Sequence, residues 1–392
     1  MGKDKNIIWL VSWYPNKLAP FDGDFIQRHA RAVSFFQKIT VFYVKKDERG
    51  ILEKNTIQEI RTEGALTEVI IYFKCLHTPL PILNRLISHA RSARLYRQAL
   101  RRYIEESGKP DLVHVHVAYK AGIQALWLKK KFGIPFILSE HWSGYLPESH
   151  FRFEDFPKVI KRIIAKIFKG SSSVSAVSQT LGQQLKTYFQ LSSFRVIPNV
   201  VDISLFYPSP RVANPVREFI HISNLTPEKN ITEILRAFDL VLQRGLQFHL
   251  RIFGPPNEAV ASQITQLGLE GKVEMMREIP QIDLAAYLRI ADALILYSSY
   301  ETFGCVVIEA SASGVPVILS DLPVFREFVI DGKEGVMVHR NAPQALAGAI
   351  EDLISGKYRF DSEKIAEGAV RRFSFEVVGN QMNLWYREVL GS

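Results

Sequence analysis

The chain has 392 residues, of which 47% are hydrophobic and 23% charged, so it is neither a disordered nor a fibrous protein. Its length predicts two domains rather than one core. Residues 1–200 carry 31 Lys and Arg against 16 Asp and Glu, or +15, whereas residues 201–392 carry 18 against 24, or −6; together they give the net charge of +9. The basic half is therefore expected to meet an anionic partner.

Short apolar runs alternate with amphipathic helical patterns along the whole chain. The runs are near-continuous in Val, Ile, Leu and Phe, as in parallel strands that are covered on both faces, and repeated β-α units predict two doubly wound sheets. The strands predicted in the first half are Asn6–Ser12, Ile39–Val44, Glu68–Phe73, Asp111–Val117, Pro135–Ser139, Ser173–Ser178 and Arg195–Ile197. Those in the second half are Glu218–Ser223, Phe248–Phe253, Lys272–Met276, Ala293–Tyr297, Pro316–Ser320 and Gly335–Val338.

A linker is predicted at residues 199–217. The segment Val196–Glu218 contains four prolines, has no helical periodicity and lies where the charge changes sign. The first domain would span residues 1–198 and the second 218–371, with a final helix in 372–392. Ligands of doubly wound sheets bind at the carboxyl ends of the strands, so the site is expected in a cleft between the domains.

Two cysteines in this length provide no disulfide framework and predict a reducing, cytoplasmic compartment. Cys305 follows a glycine turn without a basic neighbour in sequence, so packing is favoured over reactivity. The apolar run Ile7–Val11 is too short for a signal peptide or a membrane span and is interpreted as a first buried strand.

The stretch "YETFGCVVIEASASGVP" covers residues 300–316. A strand at Ala293–Tyr297 and a helix at Cys305–Ser313 would make its first part a strand-to-helix loop. Backbone N–H groups at the start of the helix lack intrahelical partners and favour an anion, and Gly304 allows close approach. A diphosphate would fit this position.

Two glutamates, Glu301 and Glu309, flank this predicted anion site. On one continuous helix they would be about 12 Å apart, farther than the acid/base pair of a glycosidase. They could instead accept hydrogen bonds from sugar hydroxyls on both sides of a diphosphate. The alternative is structural, with one glutamate favouring the helix dipole and the other paired with a basic residue.

The segment "YETFGCVVIEASASGVPVILSD" resembles the E-x7-E signature of family 4 glycosyltransferases, which are retaining enzymes of the GT-B fold. The motifs "SWYP", "FDGDFIQRHA", "SEHWSGY", "SAVSQTL", "VIPNVVDISLF", "LTPEKN" and "REFVIDGKEGVMV" occur in the order typical of that family. The resemblance implies two Rossmann-like domains facing across a cleft. The first would bind the acceptor and the second the nucleotide sugar, and the final helix would cross back to the first.

The resemblance also implies roles for individual residues in the second domain. Glu309 would hold the ribose hydroxyls and Glu301 the hydroxyls of the donor sugar. The backbone amides of Phe303, Gly304 and Cys305 would cover the diphosphate and the sugar.

Lys229, in "LTPEKN", matches the lysine that neutralises the diphosphate. Five residues earlier the family usually has an arginine, where this chain has Asn224. One cation of the phosphate clamp is therefore missing, and more would depend on Lys229 and backbone amides. A solvated lysine is the alternative for Lys229, although a helix start disfavours a cation.

In the first domain, the sequence Asp22-Gly23-Asp24 imitates a metal-binding D-x-D motif. We expect Asp24 to cap a helix instead, with Gln27 three residues later. By resemblance, Gly23 belongs to a glycine-rich loop next to the donor phosphates and the acceptor. The family needs no metal, and no metal site is predicted.

His114 and His116 share one face of a strand, with no further zinc ligands nearby in sequence. We expect His114 in the core and His116 at the strand end, toward the cleft. His141 directly follows another strand and matches a catalytic histidine that the family places near the donor sugar and the acceptor.

Two basic segments are predicted to be helices that cover the sheet. Phe156–Gly170 has five basic residues and Arg85–Tyr103 has six arginines. Both also suit an anionic membrane surface. Nucleic acid is not expected as a partner, because no zinc finger, glycine-rich RNA motif or clear stacking platform is present.

The sequence thus predicts a retaining, metal-independent hexosyltransferase without a cofactor. Its donor would be a nucleotide-diphosphate sugar, and its acceptor a hydroxyl of a lipid-linked or polysaccharide glycan in cell-surface glycan biosynthesis. The enzyme would be cytoplasmic, with a possible peripheral position on the inner face of the membrane. The alternatives are a GT-B-fold nucleotide-sugar epimerase and a non-catalytic basic protein that binds anionic glycan or nucleic acid.

Overall fold

A computed structural model describes residues 5–75, 79–210 and 216–391. The chain divides into two compact units. The first unit runs to Asn199 and includes the segment from Phe375 onward; the second unit is Val200–Ser374. Residues 211–215 of the predicted linker lie outside the described ranges. Within the described ranges, no helix is both long and apolar enough to cross a membrane.

The first unit is built on an eight-stranded sheet with the strand order β3-β4-β2-β1-β5-β6-β7-β8. Every neighbouring pair is parallel except β3 and β4. Its strands are β1 (Ile7–Val11), β2 (Ile39–Asp47), β3 (Thr56–Glu63), β4 (Leu66–Lys74), β5 (Leu112–His116), β6 (Phe136–Glu140), β7 (Val174–Ala176) and β8 (Arg195–Val196). Strands β1, β5 and β6 are buried along their whole length, which explains their continuous apolar sequences.

Strand β3 was absent from the sequence-based prediction. Its sequence, TIQEIRTE, is mostly polar, and nearly all its residues are exposed or half-buried because it lies at the edge of the sheet. It pairs antiparallel with β4, from Thr56 opposite Phe73 to Glu63 opposite Leu66. A search for continuous apolar runs therefore misses it, whereas edge strands characteristically carry charged side chains.

The described part of this unit has six helices: α1 (Asp24–Ser34), α2 (Pro81–Ser107), α3 (Ala121–Phe132), α4 (Lys158–Gly170), α5 (Gln179–Phe189) and α13 (Phe375–Leu390). Helix α13 packs closely on α1, where a Cβ at Gly379 would lie 2.2 Å from the carbonyl oxygen of Ala32. The hydroxyl of Tyr386 on α13 accepts a 3.1 Å hydrogen bond from the Trp9 indole and lies 2.8 Å from His114 Nδ1. The last helix thereby completes the core of the first unit.

The second unit contains a six-stranded, fully parallel sheet with the order β11-β10-β9-β12-β13-β14. Its strands are β9 (Arg217–Ile222), β10 (Phe248–Phe253), β11 (Val273–Met276), β12 (Ala293–Leu296), β13 (Val317–Ser320) and β14 (Gly335–Val338). Its helices are α6 (Ile231–Gln243), α7 (Glu258–Gln266), α8 (Gln281–Ile290), α9 (Cys305–Ala312), α10 (Pro323–Arg326), α11 (Pro343–Ile354) and α12 (Ser362–Phe373).

The predicted strands of this half all form, within one or two residues at their ends. Its core includes Phe238, Leu250 and Ile295, all fully buried, and each such side chain contributes about 1.5–3 kcal/mol. Because β9 and β12 are parallel neighbours, the loops that follow them lie at the same edge of the sheet.

Candidate active site

The loop between β12 and α9 is a strand-to-helix turn, as the sequence predicted. Helix α9 begins at Cys305, and Gly304 precedes it in the left-handed conformation, with φ of 89°. A Cβ at Gly304 would lie 3.0 Å from the Phe325 ring, so both backbone and space favour glycine. The amides that begin α9 therefore lie at the carboxyl edge of the sheet, where an anion is favoured.

Lys229 and Glu301 form an ion pair beside this helix start. Lys229 Nζ lies 2.5 Å from Glu301 Oε1, and the two side chains are only 17% and 10% exposed. The Ser298 hydroxyl donates a 2.8 Å hydrogen bond to the same carboxylate oxygen. The sequence allowed Lys229 to be either solvated or functional. In the structure its side chain is largely buried and paired with Glu301.

Further hydrogen bonds join the two loops that carry this pair. Lys229 ends a 3-10 turn, Pro227–Lys229, that follows β9. Asn230 then adopts a left-handed conformation, and its side-chain amide donates to the Tyr297 carbonyl (3.1 Å) and to Ser299 Oγ (2.9 Å). The amide of Ser299 donates in turn to the carbonyl of Glu228 at 2.8 Å. These hydrogen bonds hold the loop that carries Lys229 against the loop that carries Glu301.

Glu309 lies on the first turns of α9 and is almost entirely buried, with 2% exposure. The side-chain amide of Gln281, the first residue of α8, donates a 3.3 Å hydrogen bond to Glu309 Oε1. Glu301 belongs to the preceding loop, so the two glutamates do not share one helix.

Phe303 and Cys305 flank Gly304 and differ in what they present. The ring of Phe303 is buried and stacks on Phe328, with ring centroids 4.7 Å apart and planes 16° from parallel. Its side chain therefore anchors the loop. Cys305 is half-buried, and neither it nor Cys75 forms a disulfide.

Asn224, which stands where the resemblance expects an arginine, is exposed in the loop after β9. Its Oδ1 accepts a 2.8 Å hydrogen bond from the Thr226 hydroxyl. The side chain is thus occupied in a local turn and supplies no positive charge. No second cation of this loop replaces the missing one.

In the first unit, Gly23 allows the chain to enter α1. Its φ is 68°, and a Cβ there would lie 2.7 Å from the backbone carbon of Trp13. The expectation that Asp24 caps this helix is wrong, because Gly23 occupies the N-cap and Asp24 is the first helical residue. The Asp24 carboxylate accepts a 3.0 Å hydrogen bond from Arg28 instead, and Gln27 donates to Glu68 at 2.7 Å.

Glu140, the last residue of β6, organises the loop that carries His141. Its buried carboxylate accepts hydrogen bonds from the amides of Ala118 (3.0 Å), His141 (2.9 Å) and Trp142 (3.1 Å). Burial raises the pKa of Glu140, while these hydrogen bonds oppose the shift. The sequence analysis missed Glu140, although a carboxylate that ends a buried strand was a usable signal.

His141 belongs to a buried cluster with His29 and His116, here called the trihistidine cluster. His116 Nδ1 lies 3.3 Å from His141 Nε2, and the two rings are stacked 5.5 Å apart. His29 Nε2 donates a 2.9 Å hydrogen bond to the carbonyl of Pro198, which leaves a lone pair on Nδ1 of the neutral ring. As expected, His114 lies in the core.

The trihistidine cluster is a set of neutral imidazoles. Burial lowers the pKa of His29 to about 4, although the Pro198 hydrogen bond opposes this shift. Burial also lowers the pKa of His116 and of His141 well below the ordinary value. One ring nitrogen of each histidine lies within 4.8 Å of those of the other two, a spacing that could hold a metal ion. No further ligand lies near His116 in sequence, as stated above, but the fold brings two candidates to it from distant positions.

Comparison with known proteins identifies the class. The model of glycosyl transferases group 1 matches residues 209–371, and that of Glycosyltransferase Family 4 matches residues 61–205. Each match lies almost entirely within one of the two units. The chain therefore belongs to the family 4 (group 1) glycosyltransferases, which are retaining enzymes of the GT-B fold.

Individual relatives have low sequence identity to this chain but match most of its length. The GDP-mannose:cellobiosyl-diphosphopolyprenol alpha-mannosyltransferase of Xanthomonas campestris is 28% identical over 72% of this chain and 75% of its own. The putative teichuronic acid biosynthesis glycosyltransferase TuaC of Bacillus subtilis is 26% identical over 96% of this chain and 94% of its own. The structure of sucrose-phosphate synthase from Thermosynechococcus elongatus matches 99% of this chain and 100% of that one, with a TM-score of 0.78 and 20% identity.

Proposed function

We propose that the protein transfers a hexose from a nucleotide-diphosphate sugar to a hydroxyl of a lipid-linked or polysaccharide acceptor in cell-surface glycan biosynthesis. The observation that carries the donor assignment is the Lys229–Glu301 ion pair at the start of α9. It combines a cation, a carboxylate and helix amides within one fixed loop pair. The similar proteins from Xanthomonas and Bacillus support the acceptor class, because one acts on a diphosphopolyprenol-linked sugar and the other is named for teichuronic acid synthesis.

In this proposal the second unit binds the donor. Lys229 and the amides of Phe303, Gly304 and Cys305 meet the diphosphate, while Glu309 accepts hydrogen bonds from the ribose. Glu301 leaves Lys229 to the diphosphate and accepts hydrogen bonds from the donor sugar. These groups stabilise the negative charge that develops on the leaving diphosphate in the transition state. Such stabilisation increases the rate of transfer.

The acceptor hydroxyl attacks the anomeric carbon as the bond to the diphosphate breaks. The leaving diphosphate oxygen takes the hydroxyl proton on the same face, so the configuration is retained without a side-chain nucleophile. His141, in the first unit, is proposed as a catalytic residue that acts as a neutral hydrogen-bonding group, held in place by Glu140 and His116. We propose that no metal is required, because Lys229 and the amides supply the positive potential.

A donor panel tests this function. The full-length protein is incubated with UDP- and GDP-hexoses, with and without a polyprenyl-diphosphate disaccharide, and with EDTA in a parallel series. We expect nucleoside diphosphate release that depends on the acceptor, persists in EDTA and gives an α-configured product from an α-donor. An isomerised donor without transfer would identify an epimerase, and binding of anionic glycan without turnover would identify a non-catalytic protein.

A further inference from the structure

A cavity of about 610 Å³ opens at the carboxyl edge of the first unit's sheet. Its wall includes residues that follow β1, β2 and β5, together with one face of α2. This is the edge at which doubly wound sheets bind ligands.

The cavity has an excess of positive charge. Four of its side chains are Lys or Arg and two are carboxylates, a difference of +2. Lys45 Nζ is 2.9 Å from the carboxylate of Asp22, and Lys46 Nζ is 3.5 Å from that of Glu48. The two remaining cations, Arg85 and Lys120, form no ion pair with any residue in the described parts of the chain. Their charge is available to an anionic ligand.

Lys120, which lines the cavity, adopts a backbone conformation that is unfavourable for any residue other than glycine. Its φ of 76° and ψ of −68° are those of a strained γ-turn immediately before α3. A non-glycine residue in this region is strained, and such strain is concentrated at functional sites.

Helix α2 carries an apolar surface next to this cationic cavity. Ile82 and Leu86, in its first two turns, are 75% and 62% exposed. Arg85 lies in the same turns and lines the cavity. The first two turns of α2 thus carry both a cation that lines the cavity and apolar side chains that are exposed to water. We call Ile82 and Leu86, which lie one helical turn apart, the apolar strip.

We infer that this cavity binds the diphosphate head group of a lipid-linked acceptor, with the first isoprenoid units on the apolar strip. A diphosphate matches the excess charge better than a single carboxylate, and a hydrocarbon chain gives the strip a partner. The inference rests on the proposed function and narrows its acceptor to a lipid diphosphate, with Arg85 and Lys120 as head-group contacts.

Calorimetry with the full-length protein tests the head-group contacts. The ligands are farnesyl diphosphate, inorganic pyrophosphate and farnesol, below the micelle-forming concentration. Farnesyl diphosphate should bind at least tenfold more tightly than either of the others. Arg85→Gln/Lys120→Gln should weaken the binding of both diphosphates at least tenfold and leave the binding of farnesol unchanged. The control Arg94→Gln/Lys130→Gln removes the same charge from exposed positions of α2 and α3 and should bind as the parent protein does.

The strip has its own test. Ile82→Ser/Leu86→Ser should weaken farnesyl diphosphate and leave pyrophosphate unchanged, whereas Ile51→Ser/Leu384→Ser, two exposed apolar positions elsewhere in the first unit, should change neither. Equal binding of pyrophosphate and farnesyl diphosphate would indicate a free-phosphate site and overturn the inference. An equal loss in a variant and its control would overturn it as well.

Nucleotide binding separates this inference from the proposed function. Farnesyl diphosphate binding without any binding of UDP or GDP would refute the glycosyltransferase proposal while retaining the lipid site. Nucleotide binding and turnover, with farnesyl diphosphate binding unaffected by Arg85→Gln/Lys120→Gln, would retain the enzyme and refute the site. Full competition between UDP or GDP and farnesyl diphosphate would assign the cavity to the nucleotide and refute the inference.

Discussion

Lys229 and Glu301 are 72 residues apart in sequence and 2.5 Å apart at their charged atoms. Each neutralises the other while both are largely shielded from water, where an uncompensated charge would be costly. A bound diphosphate would therefore compete with Glu301 for Lys229. Donor binding would also release the glutamate to accept hydrogen bonds from the sugar, so one exchange of partners would prepare both contacts.

Lys229→Met should weaken binding of the preferred nucleoside diphosphate by about 1.5–3 kcal/mol, the usual contribution of a hydrogen bond to a charged group. It should also lower the melting temperature, because Glu301 keeps the Ser298 hydrogen bond but loses its counter-ion. Lys229→Met/Glu301→Gln should recover stability without recovering affinity. Calorimetry and thermal denaturation measure the two effects, and unchanged affinity in the single variant would remove Lys229 from the diphosphate site.

The two glutamates should separate in their effects. Glu309→Ala should weaken both the nucleotide sugar and the free nucleoside diphosphate by roughly 1–3 kcal/mol, because both contain the ribose. Glu301→Ala should lower turnover while the free diphosphate binds as well or better, since Lys229 loses its internal competitor. Calorimetry with the diphosphate and a turnover assay distinguish them. Equal losses of diphosphate affinity in both variants would contradict this division of roles.

The features of this site that depend on residues close together in sequence were predictable, whereas those that join residues distant in sequence were not. Helix α9 and the turn at Gly304 were predictable because they depend on local periodicity and one glycine. The Lys229–Glu301 pair was not, because it depends on β9 and β12 being neighbours in the sheet. The trihistidine cluster was missed for the same reason, since its members come from α1, β5 and the loop after β6.

Asn224→Arg tests the missing cation directly. An arginine five residues before Lys229 restores the pattern that the resemblance leads us to expect. Asn224 is exposed and loses only its hydrogen bond with Thr226, so the fold should tolerate the change. We expect nucleoside diphosphate to bind several-fold more tightly, with a steeper dependence on salt. Ser262→Arg, at an exposed position of α7, is the control. An equal gain in nucleoside diphosphate affinity in this variant would show that the effect comes from net charge alone.

Stability should fall in mild acid because of His29. The folded-state pKa is about 4, below the ordinary value of 6.5, so the unfolded chain binds the proton first. The stabilisation is complete above pH 6.5 and is lost progressively as pH falls toward 4, to a total of about 3 kcal/mol. Denaturant unfolding at several pH values between 7.5 and 4.5 measures the slope.

His29→Gln should reduce this pH dependence, whatever its effect on stability at pH 7.5, because glutamine does not titrate. His339→Gln, at an exposed position of the second unit, should leave the slope unchanged. An identical slope in His29→Gln and the parent protein would show that other groups, such as His116 or His141, control acid unfolding.

Helix α4 provides the basis for the prediction about membranes. Its apolar face, with Ile164, Ile167 and Phe168, is buried, and Phe168 stacks on Phe189 of α5. The opposite face presents an exposed stripe of cations at helical spacing: Lys158, Arg162, Lys166 and Lys169. The helix therefore covers the sheet, as predicted, and still leaves four charges that could meet an anionic bilayer.

Vesicles that contain anionic lipid should sediment the protein, and binding should weaken steeply with salt because exposed charges are screened over about 8–10 Å. Replacing the four stripe residues by glutamine should weaken vesicle binding, since each contributes about 1 kcal/mol when it lies at the surface. Replacing Arg49, Lys54, Lys109 and Lys130, which are exposed elsewhere in the first unit, is the charge-matched control. Transfer to a short soluble acceptor should persist in both variants. Unchanged vesicle binding in the stripe variant would show that these cations only keep a covering helix soluble. Loss of transfer to the soluble acceptor would show that the stripe contacts the acceptor and not the membrane.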